Sequence, residues 1–140
     1  GTYTVSDRVL RAVQAEFSCG FCTDAQGAQT IGRTFRENHY LLDTHTAVAC
    51  TVLDAYRAGT GDQTLTVVES TASPFKFCAS VLDALGVTEH APGTGVLSQL
   101  TAETGRPAPT PLASLAGKPV RFDQVTDRGD MRAVVTEFLR

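Results

Sequence analysis

No apolar run in this sequence approaches the length that crosses a membrane. The opening residues do not read as a signal peptide. No basic stripe is present: acids and bases are interleaved and the formal net charge is −3, so nucleic acid is a poor partner. Internal repeats and low-complexity tracts are missing too. A single Cys-x-x-Cys, at Cys19 and Cys22, has no second copy and no His-x-x-x-His to complete a zinc site. The other cysteines, Cys50 and Cys78, fall inside apolar helical patterns, where a free thiol behaves as a small hydrophobe. Four cysteines are too sparse for a disulfide-stapled scaffold. The expectation is a cytoplasmic protein with reduced thiols, no metal, no nucleic acid and no membrane.

The 140 residues fit one domain and suffice to bury a core. With 42% hydrophobic and 19% charged residues, the composition is ordinary for a globular protein. The chain starts with Gly1 rather than Met, which suggests a piece cut from a longer protein. On that reading Gly1 is a cloning remnant, and a processed natural start is the alternative.

The rest of the chain is organised around Ser70-Thr71-Ala72-Ser73-Pro74-Phe75-Lys76-Phe77. The β-branched run Leu65–Val68 before it predicts a strand over Thr64–Glu69. Phe77, Val81, Leu82 and Leu85 after it recur at helical spacing and predict a helix over Phe75–Leu85. Ser73 is the natural N-cap, Pro74 suits the first helical position, and Gly86 suits the residue past the helix end. A polar turn from strand to helix offers hydroxyls and backbone N–H groups at the carboxyl edge of a sheet, where open α/β sheets bind small ligands.

Elsewhere, Val9, Leu10, Val13 and Phe17 predict an amphipathic helix after Ser6-Asp7. Ala28, Ile31 and Phe35 predict a second, from about Asp24 to Asn38, although Gly27 and Gly32 weaken it. Tyr40-Leu41-Leu42 reads as a short buried strand. The helix from Ala47 to Arg57 is apolar nearly all round and is expected to be buried. Gly59-Thr60-Gly61 and Gly93-Thr94-Gly95 are turns, too short for phosphate loops. Residues 87–119 are loop-like apart from a short helix at Val96, Leu97 and Leu100. Val120–Val125 is a candidate final strand. Met131, Val134, Val135, Phe138 and Leu139 then mark the cleanest helical pattern, with Asp127 as its cap. Helices between strands imply parallel pairing with right-handed crossovers. The expected fold is therefore α/β: a partial three-layer unit, its small, mostly parallel sheet of two or three strands flanked by helices. An uncovered edge of such a sheet invites self-association.

Among the histidines, His39 and His90 read as surface residues. His45 sits with Asp43, Thr44 and Thr46 at a predicted turn into a helix, where a capping role and a ligand role stand side by side. A hydroxyl such as that of Thr71 can tie down a turn or face a bound ring nitrogen, and residue physics alone does not choose.

Four segments carry a family resemblance. Asp43-Thr44-His45-Thr46-Ala47-Val48-Ala49, Gly61-Asp62-Gln63-Thr64, Ser70-Thr71-Ala72-Ser73-Pro74-Phe75-Lys76-Phe77 and Val81-Leu82-Asp83-Ala84-Leu85-Gly86 resemble the carboxy-terminal part of threonine synthase. That family shows Asp-Pro-His-Thr-Ala-Val and then Ser-Thr-Ala-(Ser/His)-Pro-x-Lys-Phe, in this order. Thr44 stands where the family usually has Pro. Phe17–Ile31 and the tail after Pro109 are also similar, so the resemblance covers nearly the whole chain.

The resemblance implies the carboxy-terminal segment of a fold-type II pyridoxal phosphate enzyme, a single α/β segment over residues 1–140. The whole enzyme converts O-phospho-L-homoserine and water to L-threonine and phosphate. By motif position, Thr71 would meet the pyridine nitrogen, leaving the ring mostly unprotonated. Asp43, His45, Ser73 and Lys76 would line or support the pocket. The family's Schiff-base lysine and phosphate loop lie upstream of these motifs. This chain has only Lys76, which matches a different family lysine, and Lys118, in the Gly117-Lys118-Pro119 turn. The 140-residue piece is therefore expected to bind the cofactor weakly or not at all, to lack turnover, and to need the preceding part of the same chain as its partner. Within the same fold, a threonine dehydratase-like lyase is the runner-up, against which the His45 and Lys76 motifs argue. A non-catalytic interaction domain that kept the fold is the competitor from another class.

Overall fold

The computed structural model describes residues 2–140, and Gly1 lies outside the described residues. Among the described residues seven α-helices follow in order: α1 (Asp7–Glu16), α2 (Asp24–Asn38), α3 (Thr44–Thr60), α4 (Cys78–Ala84), α5 (Gly95–Thr104), α6 (Thr110–Ala113) and α7 (Met131–Phe138). Short 3-10 turns occupy Pro74–Lys76, Ser114–Gly117 and Arg128–Asp130.

Local signals set the helix ends. Ser6 caps α1, its side chain accepting from the backbone N–H of Val9. Thr23 and Gln26 form a reciprocal capping box at the start of α2, which runs over the predicted Asp24–Asn38. Its two glycines, which weaken the helix on propensity, are both buried. A Cβ on Gly32 would come within 2.6 Å of the Ala84 carbonyl oxygen, so α2 and α4 meet there at backbone distance. Gly86 ends α4 with φ +90°. Its N–H donates to Asp83 O and that of Val87 to Leu82 O, the double closure of a Schellman end.

The core is built where α2, α3, α4 and α5 converge. Ile31, Val81, Leu82 and Leu100 are fully enclosed, and Leu41, Leu42 and Phe75 reach into the same cluster from the connecting segments. Thr30 on α2 and Thr51 on α3 share a hydroxyl hydrogen bond of 2.8 Å, and Arg33 pairs with Asp54 across the same seam.

The α/β expectation is overturned: among the described residues the chain is helical and no strand forms. Leu41 and Leu42 are buried as expected, but in a connection from α2 to α3 rather than in a ladder. Over 64–69 Leu65 is 92% exposed, and over 120–125 Val125 is 94% exposed. β-Branched residues favour a pleated surface packed on neighbours, and a lone extended stretch without a partner has no ladder to join. Expectations of parallel crossovers and of a self-pairing sheet edge fall with it.

The stretch after α3 is instead fastened at its two ends. Arg57 Nη2 donates to the Thr64 carbonyl at 3.1 Å and to Thr66 Oγ1 at 3.2 Å, and Ser70 is tied to the start of α3. The predicted helix over Phe75–Leu85 is divided into the 3-10 turn and α4, with the break at Phe77 (φ −130°, ψ 39°). Expected burial all round α3 also fails. Only Thr46 and Ala47 are buried, because α3 packs on α2 along one side and leaves Val48 and Tyr56 open. The predicted α1 and α7 both form, yet neither buries a residue.

Candidate functional site

The first turn of α3 and the loop of residues 70–77 meet, and Asp43 is the joint. Asp43 is the N-cap of α3 and is 1% exposed. Its Oδ1 accepts from the backbone N–H groups of His45 (2.8 Å) and Thr46 (3.2 Å). Its Oδ2 accepts from the Thr46 hydroxyl and, at 3.4 Å, from the Ser70 hydroxyl. Burial pushes the Asp43 carboxyl up. The hydrogen bonds from Thr46, His45 and Ser70 outweigh that and hold it below the usual carboxylate range. A carboxylate so engaged is a fixed negative post rather than a proton shuttle.

At the far end of the loop, the His45 ring meets Phe77 edge-on, with centroids 5.1 Å apart and planes at 81°. Lys76 is exposed, with Nζ 5.8 Å from the Phe77 ring centroid. Ser73 Oγ accepts from the Phe75 N–H at 3.3 Å and so caps the 3-10 turn. Ser73 also borders a cavity of about 300 Å³ with Tyr40, Leu41 and Arg106. Thr71 is exposed, and the bonds that fasten its loop come from Ser70 and Ser73 on either side.

Of the residues singled out in sequence, Asp43, His45 and Lys76 therefore gather around Phe77 and the loop that carries Thr71. Ser73 faces the neighbouring cavity. Thr46 and Ser70 sit at the centre of the contact without having been singled out. The spacing Asp43-x-x-Thr46 places a hydroxyl at the third helical position after the cap, a local signal for Thr46. Ser70 leaves no such trace, because its partner lies 27 residues away.

A larger cavity, about 560 Å³, lies by the first turn of α2 and is bordered by Cys22, Thr44, Val48 and Asp83. It contains none of Thr71, His45 or Lys76. The Cys-x-x-Cys turn beside it is a packing element. A Cβ on Gly20 would come within 2.8 Å of Val52 on α3, and Cys22 Sγ lies against Gly27. All four cysteines are free thiols. Burial raises the thiols of Cys50 and Cys78, which keeps them protonated and inert.

The family described as threonine synthase, C-terminal, matches residues 46–136, from the first turn of α3 into α7. The chain belongs to that family. Over 82 residues it is 33% identical to threonine synthase-like 1 of Mus musculus, an alignment covering 58% of this chain and 10% of that protein. The corresponding protein of Homo sapiens is 30% identical over 88 residues, covering 62% of this chain and 11% of that one. That of Macaca fascicularis is 31% identical over the same length, with the same coverage. The chain thus spans about a tenth of the length of the curated relatives it matches. Threonine synthases generally depend on pyridoxal phosphate. The Ser70–Phe77 loop and most of α3 fall inside the family match, and Asp43 and His45 immediately precede it. No helix among the described residues is long and apolar enough to cross a membrane.

Proposed function

We propose that this chain is the carboxy-terminal part of a pyridoxal phosphate enzyme that converts O-phospho-L-homoserine and water to L-threonine and phosphate. The observation that carries the reading is the junction at Asp43. Two motifs far apart in sequence are fastened to each other there, and Thr71 is left exposed beside them. The residues fit one side of the cofactor. When bound, pyridoxal phosphate supplies the electron sink, and the protein supplies orientation and electrostatics. Thr71 offers a neutral hydroxyl that can donate to an unprotonated ring nitrogen, where a carboxylate would instead hold that nitrogen protonated. His45, steadied against Phe77, can hold or move a proton at an imidazole nitrogen. Lys76 is an exposed ammonium suited to a phosphate group. Asp43 has its oxygens committed to hydrogen bonds and serves as support.

Neither lysine of this chain suits the covalent role: Lys76 lies over Phe77 and Lys118 lies in the exposed segment after Gly117. The 140-residue chain alone should therefore give no visible absorption band with pyridoxal phosphate and no turnover. A band that disappears in Thr71→Val would overturn that expectation. In the full-length protein, phosphate and threonine should be released from phosphohomoserine. Thr71→Val should lower kcat about tenfold, the worth of one hydrogen bond of about 1.4 kcal/mol. Conversion of threonine to 2-oxobutyrate instead would make it a dehydratase-like lyase. A full-length protein that takes up no cofactor would be a non-catalytic interaction domain.

A further inference from the structure

We propose that Thr46 and Ser70 are positioning residues, a hydroxyl lock that fixes the Thr71 loop onto the first turn of α3 through the Asp43 carboxylate. Each hydroxyl carries one proton. That of Thr46 goes to Asp43 Oδ2. The same Thr46 hydroxyl is shared with a second acceptor, Ser70 Oγ at 3.1 Å, and the Ser70 proton goes to Asp43 Oδ2 at 3.4 Å. The three groups close a triangle whose base is a buried carboxylate and whose apex is on the loop. Asp43 and Thr46 are 1% and 4% exposed, so the base is rigid, whereas Ser70 is at the surface.

The rest of the loop is held further on, by the Ser73 cap on Phe75 and by the edge contact of Phe77 with His45. Thr71 is the residue directly after the lock. Removing the Ser70 hydroxyl cuts the loop's link to Asp43, and the chain ahead of Thr71 is then held further back, where Arg57 grips Thr64 and Thr66. Removing the Thr46 hydroxyl takes away the donor to Ser70 Oγ and loosens the carboxylate. Neither residue has to touch a reacting atom to matter. The inference rests on the proposed role of Thr71, but the lock can be tested apart from it.

Hydrogen exchange of the 140-residue chain reads the lock directly. Ser70→Ala should speed exchange across residues 70–77 and at the His45 and Thr46 amides about fivefold or more, while amides of α2 and α4 keep their protection. Ser70→Thr, which returns the hydroxyl, should restore it. Thr46→Val should act in the same direction, and the α2 and α4 amides report whether that buried variant still folds. Unchanged loop exchange in Ser70→Ala overturns the proposal. In the full-length protein, titrated with pyridoxal phosphate, Ser70→Ala and Thr71→Val should each weaken cofactor binding, and Ser70→Thr should recover it. A faster loop together with wild-type cofactor affinity in Ser70→Ala overturns the positioning role. Wild-type affinity in Thr71→Val alone, with affinity lost in Ser70→Ala, supports the lock and overturns the reading of Thr71.

Discussion

Helices α2 and α7 both carry an apolar stripe and meet opposite fates. Ile31 of α2 is 2% exposed, while Phe138 of α7 is 84% exposed. The flank at the other end repeats the contrast: Val9, Leu10 and Val13 of α1 are each at least 40% exposed. Apolar spacing tells which side of a helix wants cover, and it is silent on what supplies the cover. In α2 the cover comes from α3 and α4, within the same chain. The two regions should therefore answer mutation very differently.

The sharpest test pairs Leu82 with Leu10. Leu82→Ala should cost about 2–5 kcal/mol, because Leu82 is fully enclosed, and Leu10→Ala should stay within about 0.5 kcal/mol. Denaturant unfolding of both variants measures this, and similar losses would erase the distinction between the two regions. Gly32→Ala comes next. Its added methyl would press the Ala84 carbonyl and force α2 off α4, for about 1–3 kcal/mol. Gly59→Ala, where nothing lies within 4 Å, should instead be neutral or stabilising.

The Asp43 joint follows, below the core leucine and the α2–α4 contact. Asp43→Ala should lose about 1–2 kcal/mol at neutral pH through the lost cap. The native carboxyl titrates below its unfolded value, so the unfolded state binds more protons as the solution is acidified. Its contribution is complete above the ordinary carboxylate range and disappears as pH falls through the lowered native value. Asp43→Asn should therefore show a flatter loss of stability between neutral and acid pH than the parent chain. An unchanged slope would mean that Asp43 is not held ionised.

Helix ends were readable from sequence because capping is local. Ser6, the span Asp24–Asn38 and Gly86 all depend on residues within a turn of one another. The same local reasoning failed for the strands. Leu65, Val67, Val120, Phe122 and Val125 have the right side chains, but a ladder needs a second strand that no short window can contain. Burial around α3 falls short of expectation for a related reason, since Val48 and Tyr56 are apolar yet stay 39% and 38% exposed. At the candidate site, the resemblance supplied Asp43, His45 and Thr71, and the cap at Ser73 was visible in the residues themselves. The Thr46–Ser70 contact was not, because two hydroxyls that meet across 24 residues of chain leave no periodic mark.

The span between α3 and Ser70 carries a practical corollary. Leu65 stands open to solvent, while Arg57 grips the chain on one side and Ser70 on the other. Chymotrypsin should nick the peptide bond after Leu65 early. The severed halves would still travel together as one particle, and would part only when denatured.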